Sequence, residues 1–564
     1  MSVNAPLSAS SSLDIGPGEV LPAGVGVGEK TAPWVMSLGV LLVYLSFPTR
    51  NYYWDGIDFA FTIERSRGLS AALIHPHHLL YNVFGFFVYH LFDLAGLHVR
   101  AVHALQIANA FMSALAAALL FRFLRRTLGA TPVSILLTSL FSFSSTWWKY
   151  STDADSYVPS VLLLLVCLNL SLVARKPKPL ASAFFHAAAM CMHQLAVFFY
   201  PVIVLGILLN DSGLSRRRRV LLILKYSAAA SAITLSANYY CFRLQTGAYN
   251  LAAFGDWLTS YLHGQNGYSF SFDLRGNIFF TLRGHARLFF EGRLNWLEGL
   301  ISLPVIILLG FLVVVILFIG FELTRGFKTL VSDIRNPAPL EGRLRPVVAV
   351  CSLWACAYLL FLFLWYPYFT PYRLFYLPSL IVLLGAVLTR HGILRTPARV
   401  RFAALPVAAM ALSNFLFFIY PLSHAEKNPP LVMALEMNKA WAEGTVIYYA
   451  NSSADNRLFE YFNPATRWQK SASVGGEKFE GELQKIYGEG GAAWIDTSAL
   501  DQLRSSPEGS RWLAEHTREG RKAELVNKPY RIIFVQVLPP DYAAGTRPQG
   551  DPVLATQANE DSFK

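Results

Sequence analysis

The chain has 564 residues, 54% of them hydrophobic and only 15% charged, with a formal net charge of +12. Soluble domains carry about 25% charged residues, so the composition excludes a water-soluble globular fold. The five cysteines, Cys167, Cys191, Cys241, Cys351 and Cys356, all fall in apolar blocks, which excludes a disulfide framework and a cysteine metal site.

Residues 1–32 are rich in Ser, Gly, Pro and Ala and lack a basic segment followed by a cleavable apolar core. They read as a flexible cytoplasmic tail and not as a signal peptide. The first span is expected at Ala32–Phe47. Further apolar blocks follow near 99–121, 131–148, 157–174, 180–194, 195–210, 220–243, 297–321, 346–366, 372–389 and 402–420. Several reach the roughly 20 residues that cross a bilayer. Leu297–Phe321 and Val347–Tyr366 have almost no polar face.

Basic clusters stand between the blocks: Arg122, Arg125 and Arg126; Arg175, Lys176 and Lys178; Arg216–Arg219; Arg325, Lys328, Arg335, Arg343 and Arg345; Arg390, Arg395, Arg399 and Arg401. This is the positive-inside pattern, and it accounts for the net charge without nucleic-acid binding. With all five clusters cytoplasmic, the chain makes about eleven crossings, N-terminus inside and C-terminus outside. The 180–210 block must turn back near His193, because both its flanks are basic. His77–Leu94 is expected as a helix along the outer surface, since a crossing there would put Arg122–Arg126 on the wrong side.

The outer loops are then Pro48–Arg100, Lys149–Ser156, Thr246–Trp296 and the short turn Tyr366–Arg373. Residues 424–564 lie on the same side. Strand-like runs at Thr445–Ala450 and Tyr530–Leu538 alternate with helical stretches at Glu480–Tyr487 and Ser510–Thr517, which predicts a small extracytoplasmic α/β domain. The transmembrane domain is 33–421. No internal repeat is visible, which weighs against transporter folds built from inverted repeats.

Chemistry-bearing residues gather on the outer side. Asp55 and Asp58 are three apart and share a helix face if their segment is helical. Paired acids there suit general-base work on an acceptor hydroxyl, one activating it and the other orienting it or holding a cation. Otherwise they are the solvated end of a loop. His75, His77 and His78 follow; adjacent histidines with no cysteine bind zinc poorly, and lining a polar cavity is the plainer role. Pro76 is expected to open the following helix.

The second loop carries Lys149, Asp153, Asp155 and Tyr157. Acids from two loops, Asp58 and Asp155 among them, would suit an oxygen-ligated Mg²⁺ or Mn²⁺. His193 is an ionisable residue at a membrane turn, a functional candidate or a hydrogen-bonded packing residue. Arg373, beside Tyr372, breaks the positive-inside bias; it fits a phosphate fork or a headgroup snorkel. Arg283 and Arg287 share one face of a segment that also reads as an interfacial amphipathic helix.

These residues, in this order, resemble the GT-C superfamily of polyprenyl-phosphate-sugar-dependent glycosyltransferases, in its protein-mannosyltransferase and aminoarabinose-transferase-like branch. Asp55-Gly-Ile-Asp58-Phe59-Ala60 is similar to the branch's acidic motif. His75-Pro76-His77 is similar to its His-Pro-Pro segment, with His77 in place of the second proline. Asp155-Ser-Tyr157 looks like its second-loop acid, and Pro371-Tyr372-Arg373 like its late Tyr-Arg turn. The resemblance covers about residues 33–390 in layout. The family's adjacent Asp-Glu pair is absent, because Gly56 follows Asp55; whether Asp55 or Asp58 is the base stays open.

The resemblance implies an inverting transfer of a sugar from a polyprenyl-phosphate donor to a lipid, glycan or protein acceptor at the outer face of the plasma (inner) membrane. It implies catalysis by Asp55 or Asp58 and substrate contacts from His75, His77, Lys149, Asp155, Tyr157, His193, Arg283, Arg287, Tyr372 and Arg373. The rival classes are a transporter or flippase using the acids as an ion site, and a membrane scaffold whose C-terminal domain binds a partner.

Overall fold

The computed structural model describes residues 27–260, 270–292, 310, 344–390, 394, 396–441, 443–450, 454–470, 477–517, 522–527 and 530–539. The expected span at 297–321, and Arg325, Lys328, Arg335, Arg343 and Arg395, lie outside the described residues.

The membrane part begins with α1 (Val27–Ser46), α2 (Trp54–Arg65), α3 (Tyr81–Leu94), α4 (Ala101–Leu128), α5 (Thr131–Ser142), α6 (Ser145–Ser151), α7 (Tyr157–Leu168) and α8 (Pro179–Met192). It continues with α9 (Tyr200–Leu209), α10 (Arg216–Thr246), α11 (Leu251–Thr259), α12 (Leu274–Phe289), α13 (Leu344–Leu364), α14 (Leu377–Arg390) and α15 (Pro397–Asn414). Among the described residues, 4 helices are long and apolar enough to cross a membrane: Ala101–Leu128, Arg216–Thr246, Leu344–Leu364 and Pro397–Leu422. Shorter apolar helices occupy the other described blocks in which spans were expected.

Local chemistry explains where these helices start and stop. α4 ends at Gly129, whose φ of +76° is the left-handed cap that closes a helix, and Arg125 and Arg126 sit at its negative end. Small residues on α4 let neighbours come close. Ser37 Oγ of α1 donates to Ala114 O at 2.8 Å, and Tyr44 donates to Ser142 O at 2.6 Å. α10 is capped by Ser215, whose side chain accepts from Arg218 N. It turns Val220, Leu221, Leu224, Ile233 and Leu235 outward, a stripe suited to lipid and costly in water.

The His77–Leu94 helix begins only at Tyr81, and Pro76 does not open it. The backbone before Tyr81 is bonded elsewhere: Leu80 N donates to Cys191 O (2.9 Å) and Gln194 N donates to His77 O (3.2 Å). These bonds tie the first loop to the turn-back at His193, and α3 then runs against α2 and α4.

The C-terminal region folds into a five-stranded sheet with helices on both faces: α16 (Pro429–Ala440), β1 (Thr445–Tyr449), α17 (Ala454–Phe462), β2 (Thr466–Lys470), α18 (Glu477–Gly488), β3 (Ala492–Asp496), α19 (Thr497–Arg504), α20 (Pro507–His516), β4 (Lys522–Asn527) and β5 (Tyr530–Val537). The strand order is β2-β1-β3-β5-β4, with β1 parallel to β2 and β3, and β5 antiparallel to β3 and β4. Strand alternation divides the core: Val446 and Tyr448 pack with Phe479 and Leu483, while Ile447 packs with Met437, Trp441 and Trp494.

Candidate functional site

Asp55 and Asp58 do lie on a helix, α2, one turn apart on its first two turns. Asp58 is held: Arg457 Nε of α17 lies 3.0 Å from its Oδ1. Asp55 is half-buried, and among the described residues nothing hydrogen-bonds or ion-pairs its carboxylate. Burial first, then the nearby charges of Asp58 and Asp153, push the Asp55 carboxyl up to about 8. An acid poised near neutrality beside a second loop is what general-base chemistry needs.

The second loop comes against α2 through a glycine. A Cβ on Gly56 would stand 2.4 Å from Ala154 O, so residue 56 has no room for a side chain. The missing Asp-Glu neighbour pair thus has a steric reason. Asn109, fully buried on α4, anchors the loop by donating to both Asp153 O and Asp155 O at 2.7 Å. Gln106 reaches Thr49 O and Thr152 O, one bond to each loop (2.8 and 2.9 Å).

Neither loop acid is solvated, although the sequence placed both in an aqueous zone: Asp153 and Asp155 are buried. Asp153 bonds Lys149 Nζ and accepts from Tyr53 N (3.0 Å), a buried ion pair with a backbone donor. Asp155 Oδ1 accepts from Ser156 N at 2.6 Å, while its Oδ2 is buried with no partner among the described residues. Burial, then the Asp55 and Asp153 charges, drives the Asp155 carboxyl well up. Lys149 also faces the Tyr150 ring at 4.7 Å.

The histidines form a packed row. Phe59 sits edge-on to His78 at 5.3 Å, His78 to His193 at 4.7 Å, and His193 to Phe375 at 4.9 Å and Tyr372 at 5.5 Å. Tyr157 joins at 5.2 Å from His193, and Trp365 stacks on Tyr372 at 5.8 Å. His77 lies to one side, its Nδ1 2.7 Å from Gln194 Oε1. Burial, then His75, takes the His77 imidazole down to about 3, and burial lowers His75 and His78 as well, so all three are neutral.

The late turn closes the other side. Tyr366 has φ +62°, a left-handed conformation unusual for a bulky residue. Arg373 is 1% exposed. It donates to Pro367 O (2.5 Å), Phe369 O (2.9 Å) and Phe280 O (3.4 Å), and a Cβ on Gly284 would stand 2.4 Å from its Cζ. Its guanidinium is therefore sealed between the turn and α12. Arg287 pairs with Glu291 (Nε to both carboxylate oxygens at 2.8 Å). Arg283 is exposed, with no partner among the described residues. Ser145 and Thr146 of α6 donate to Arg287 O (2.6 and 2.9 Å), which seats α12 on the second loop. Leu274, Phe279 and Leu282 on α12 face outward.

Asp55, Asp58, Lys149, Asp155, Tyr157, His193 and Tyr372 thus surround one region; Arg287 and Arg373 border it, and His77 and Arg283 point elsewhere. Sequence reasoning missed the Asp153–Lys149 pair, which i,i+4 spacing would have suggested, and Arg457, for which there was no signal. No group of three or more His, Cys, Asp or Glu among the described residues is arranged to hold a metal. Asp58 is already paired by Arg457. Among the described residues, Asp58 and Asp155 are therefore not brought together as the expected pair of Mg²⁺ or Mn²⁺ ligands.

No family model matches the chain, and no curated protein matches it in sequence. Solved structures match it in fold. The crystal structure of ArnT from Cupriavidus metallidurans bound to undecaprenyl phosphate aligns with TM-score 0.58 at 12% identity, covering 91% of this chain and 98% of that one. The apo structure of the same protein aligns with TM-score 0.55 at 13% identity over the same shares. The chain has the fold of ArnT. That fold and the long apolar helices make it an integral membrane protein. At this identity the ArnT likeness carries the architecture, and the site rests on the geometry of the chain's own residues.

Proposed function

We propose that the chain is a membrane glycosyltransferase that moves a sugar from a polyprenyl-phosphate donor to an acceptor at the outer face, by inverting transfer with Asp55 as general base. The observation that carries this is the unpaired Asp55 carboxylate, pushed up to about 8, at the meeting point of the first two outer loops in an ArnT-like fold. The undecaprenyl phosphate in the matching ArnT structure supports the donor class. In this reading the N-terminal tail is cytoplasmic, the chain crosses about eleven times, and residues 424–564 form an extracytoplasmic domain.

The chemistry follows from the residues. Asp55 takes the proton of the acceptor hydroxyl as its oxygen attacks the anomeric carbon. The bond from that carbon to the phosphate oxygen breaks on the opposite face, and its electron pair leaves with the lipid phosphate, which inverts the centre. Asp155, held protonated by burial, donates a hydrogen bond to a sugar or phosphate oxygen. Lys149 and Arg287 neutralise the departing phosphate by sharing it with their carboxylates, with Arg283 the exposed guanidinium at the entrance. Arg373 shapes the late turn, and His193, Tyr157 and Tyr372 form an aromatic wall for the sugar.

The test is turnover of a radiolabelled undecaprenyl-phosphate sugar by the purified protein in lipid nanodiscs, with an acceptor found by mass spectrometry of outer-surface glycans from cells with and without the gene. Donor turnover by the wild type and its loss in Asp55→Asn are expected. Wild-type protein that is folded yet inert toward every such donor would overturn the reading.

A further inference from the structure

The C-terminal sheet region does not hang from the membrane part; it grips the helix that carries the acids. Leu431, Leu458 and Tyr461 share one apolar core with Ile57, Phe59 and Ala60 of α2 and Val102 of α4. Tyr461 donates to Glu64 Oε1 (2.7 Å) and accepts from Val102 N (3.2 Å). Arg100 bonds both Glu64 (2.9 Å) and Tyr461 O (2.7 Å). Asn428 donates to Arg50 O at 2.8 Å. These contacts, apolar and satisfied, dock α17 on α2.

On the same interface lies a chain of alternating charges. Arg65 Nη2 is 3.1 Å from Glu460 Oε1, Glu460 Oε2 is 3.0 Å from Arg457 Nη1, and Arg457 Nε is 3.0 Å from Asp58 Oδ1. Arg65 and Arg457 both lie over the Phe61 ring, at 3.8 and 4.9 Å. Half-exposed ion pairs contribute little to stability, and the docking does not need this one. Its placement matters more, because Arg457 ends the chain on the carboxylate one turn from Asp55.

We infer that α17 is part of the active-site scaffold, and that Arg457 is a positioning residue which draws Asp58 toward the C-terminal domain and offsets its charge beside Asp55. Without that cation the Asp58 carboxylate stands uncompensated next to the base. The groups that set this balance are Arg457 and Glu460 on α17, Asp55 on α2, His75 in the first loop, and Asp153, Asp155 and Lys149 in the second. Among the described residues, Arg457 is the cation that touches Asp58, while Arg65 reaches only Glu460.

The test reads the charge on Asp55 without requiring turnover. Dicyclohexylcarbodiimide modifies protonated buried carboxyls, and the pH midpoint of Asp55 labelling in the full-length protein in nanodiscs is read by mass spectrometry of its peptide. Arg457→Gln should raise the midpoint by about half a unit to one unit. Arg457→Lys should restore it, and Arg65→Gln, which removes a charge bonded only to Glu460, should move it far less. A midpoint unchanged in Arg457→Gln, in protein whose melting temperature is also unchanged, overturns the proposal; so does an equal shift in Arg65→Gln.

The activity arm rests on the transferase reading. At neutral pH, kcat of Arg457→Gln should fall roughly three- to tenfold, as the ionised share of Asp55 falls, with KM for the donor unchanged and with recovery at higher pH. If the labelling midpoint shifts and wild-type protein turns over no donor, the clamp stands and the transferase reading fails. If wild-type protein is active and the midpoint does not move, the clamp alone fails.

Discussion

Gly56 and Ala154 touch backbone to backbone: a Cβ on residue 56 would lie 2.4 Å from the Ala154 carbonyl oxygen. Two loops nearly a hundred residues apart in sequence are thereby held in one register. Gly56→Ala should push them apart, costing about 1–3 kcal/mol by overpacking and lowering donor turnover more than donor binding. Differential scanning calorimetry and steady-state kinetics check this. A variant as stable and as active as wild type would show that the contact does not set the site.

Asp55→Asn keeps shape and polarity but cannot take a proton. Turnover should drop by at least about a hundredfold with donor binding near normal. Asp58→Asn should lose far less, because removing its charge lets the Asp55 carboxyl fall and enlarges its ionised share at neutral pH, which offsets the loss of the Arg457 contact. If both variants turn over donor at the wild-type rate, the first outer loop is not the active site.

Activity should depend on pH with a definite sign. The Asp55 carboxyl is raised to about 8 by burial and by Asp58 and Asp153, and a base works ionised. kcat/KM should therefore climb as pH rises from 6 and level off above about 8. A profile flat across that range, or one falling as pH rises, would remove Asp55 from the role.

Arg373→Ala should loosen the late turn. Its guanidinium serves Pro367 O, Phe369 O and Phe280 O, and buried carbonyls left unpaired cost about 1–3 kcal/mol. A lysine cannot span the same three acceptors, so Arg373→Lys should recover only part of the lost stability and turnover. Melting temperature and donor turnover measured together decide it. Turnover lost at unchanged stability would instead give Arg373 a direct hold on the phosphate.

Topology has its own check. An extracytoplasmic reporter fused after His424 should be active and one fused at Arg217 silent. Activity at Arg217 would put the acids on the wrong side.

Much of the layout was legible because hydrophobic blocks and basic clusters are strong, local signals. The turn-back at His193 is an example, inferred from two basic flanks and found between α8 and α9. The helix carrying Asp55 and Asp58 was likewise readable from spacing. The site's electrostatics were not. Whether Asp153 is solvated or buried against Lys149 depends on what covers it, and that cover comes from α2, α4 and α6. Pro76 misled for a similar reason: the helix start it favours lost to backbone bonds with Cys191 and Gln194. Arg457 lies some four hundred residues from the acid it holds, and no sequence pattern links such distant partners.

Asn109 carries a wider consequence. One side-chain amide, buried on a membrane helix, holds the carbonyls of both second-loop acids. The height of those acids above the bilayer is therefore indexed to the rotation and tilt of α4. Helices tilt to match the thickness of the hydrocarbon around them, so the acyl chain length of the surrounding lipid becomes a variable of where these acids sit. Membranes of different thickness would shift these two acids without changing any residue around them.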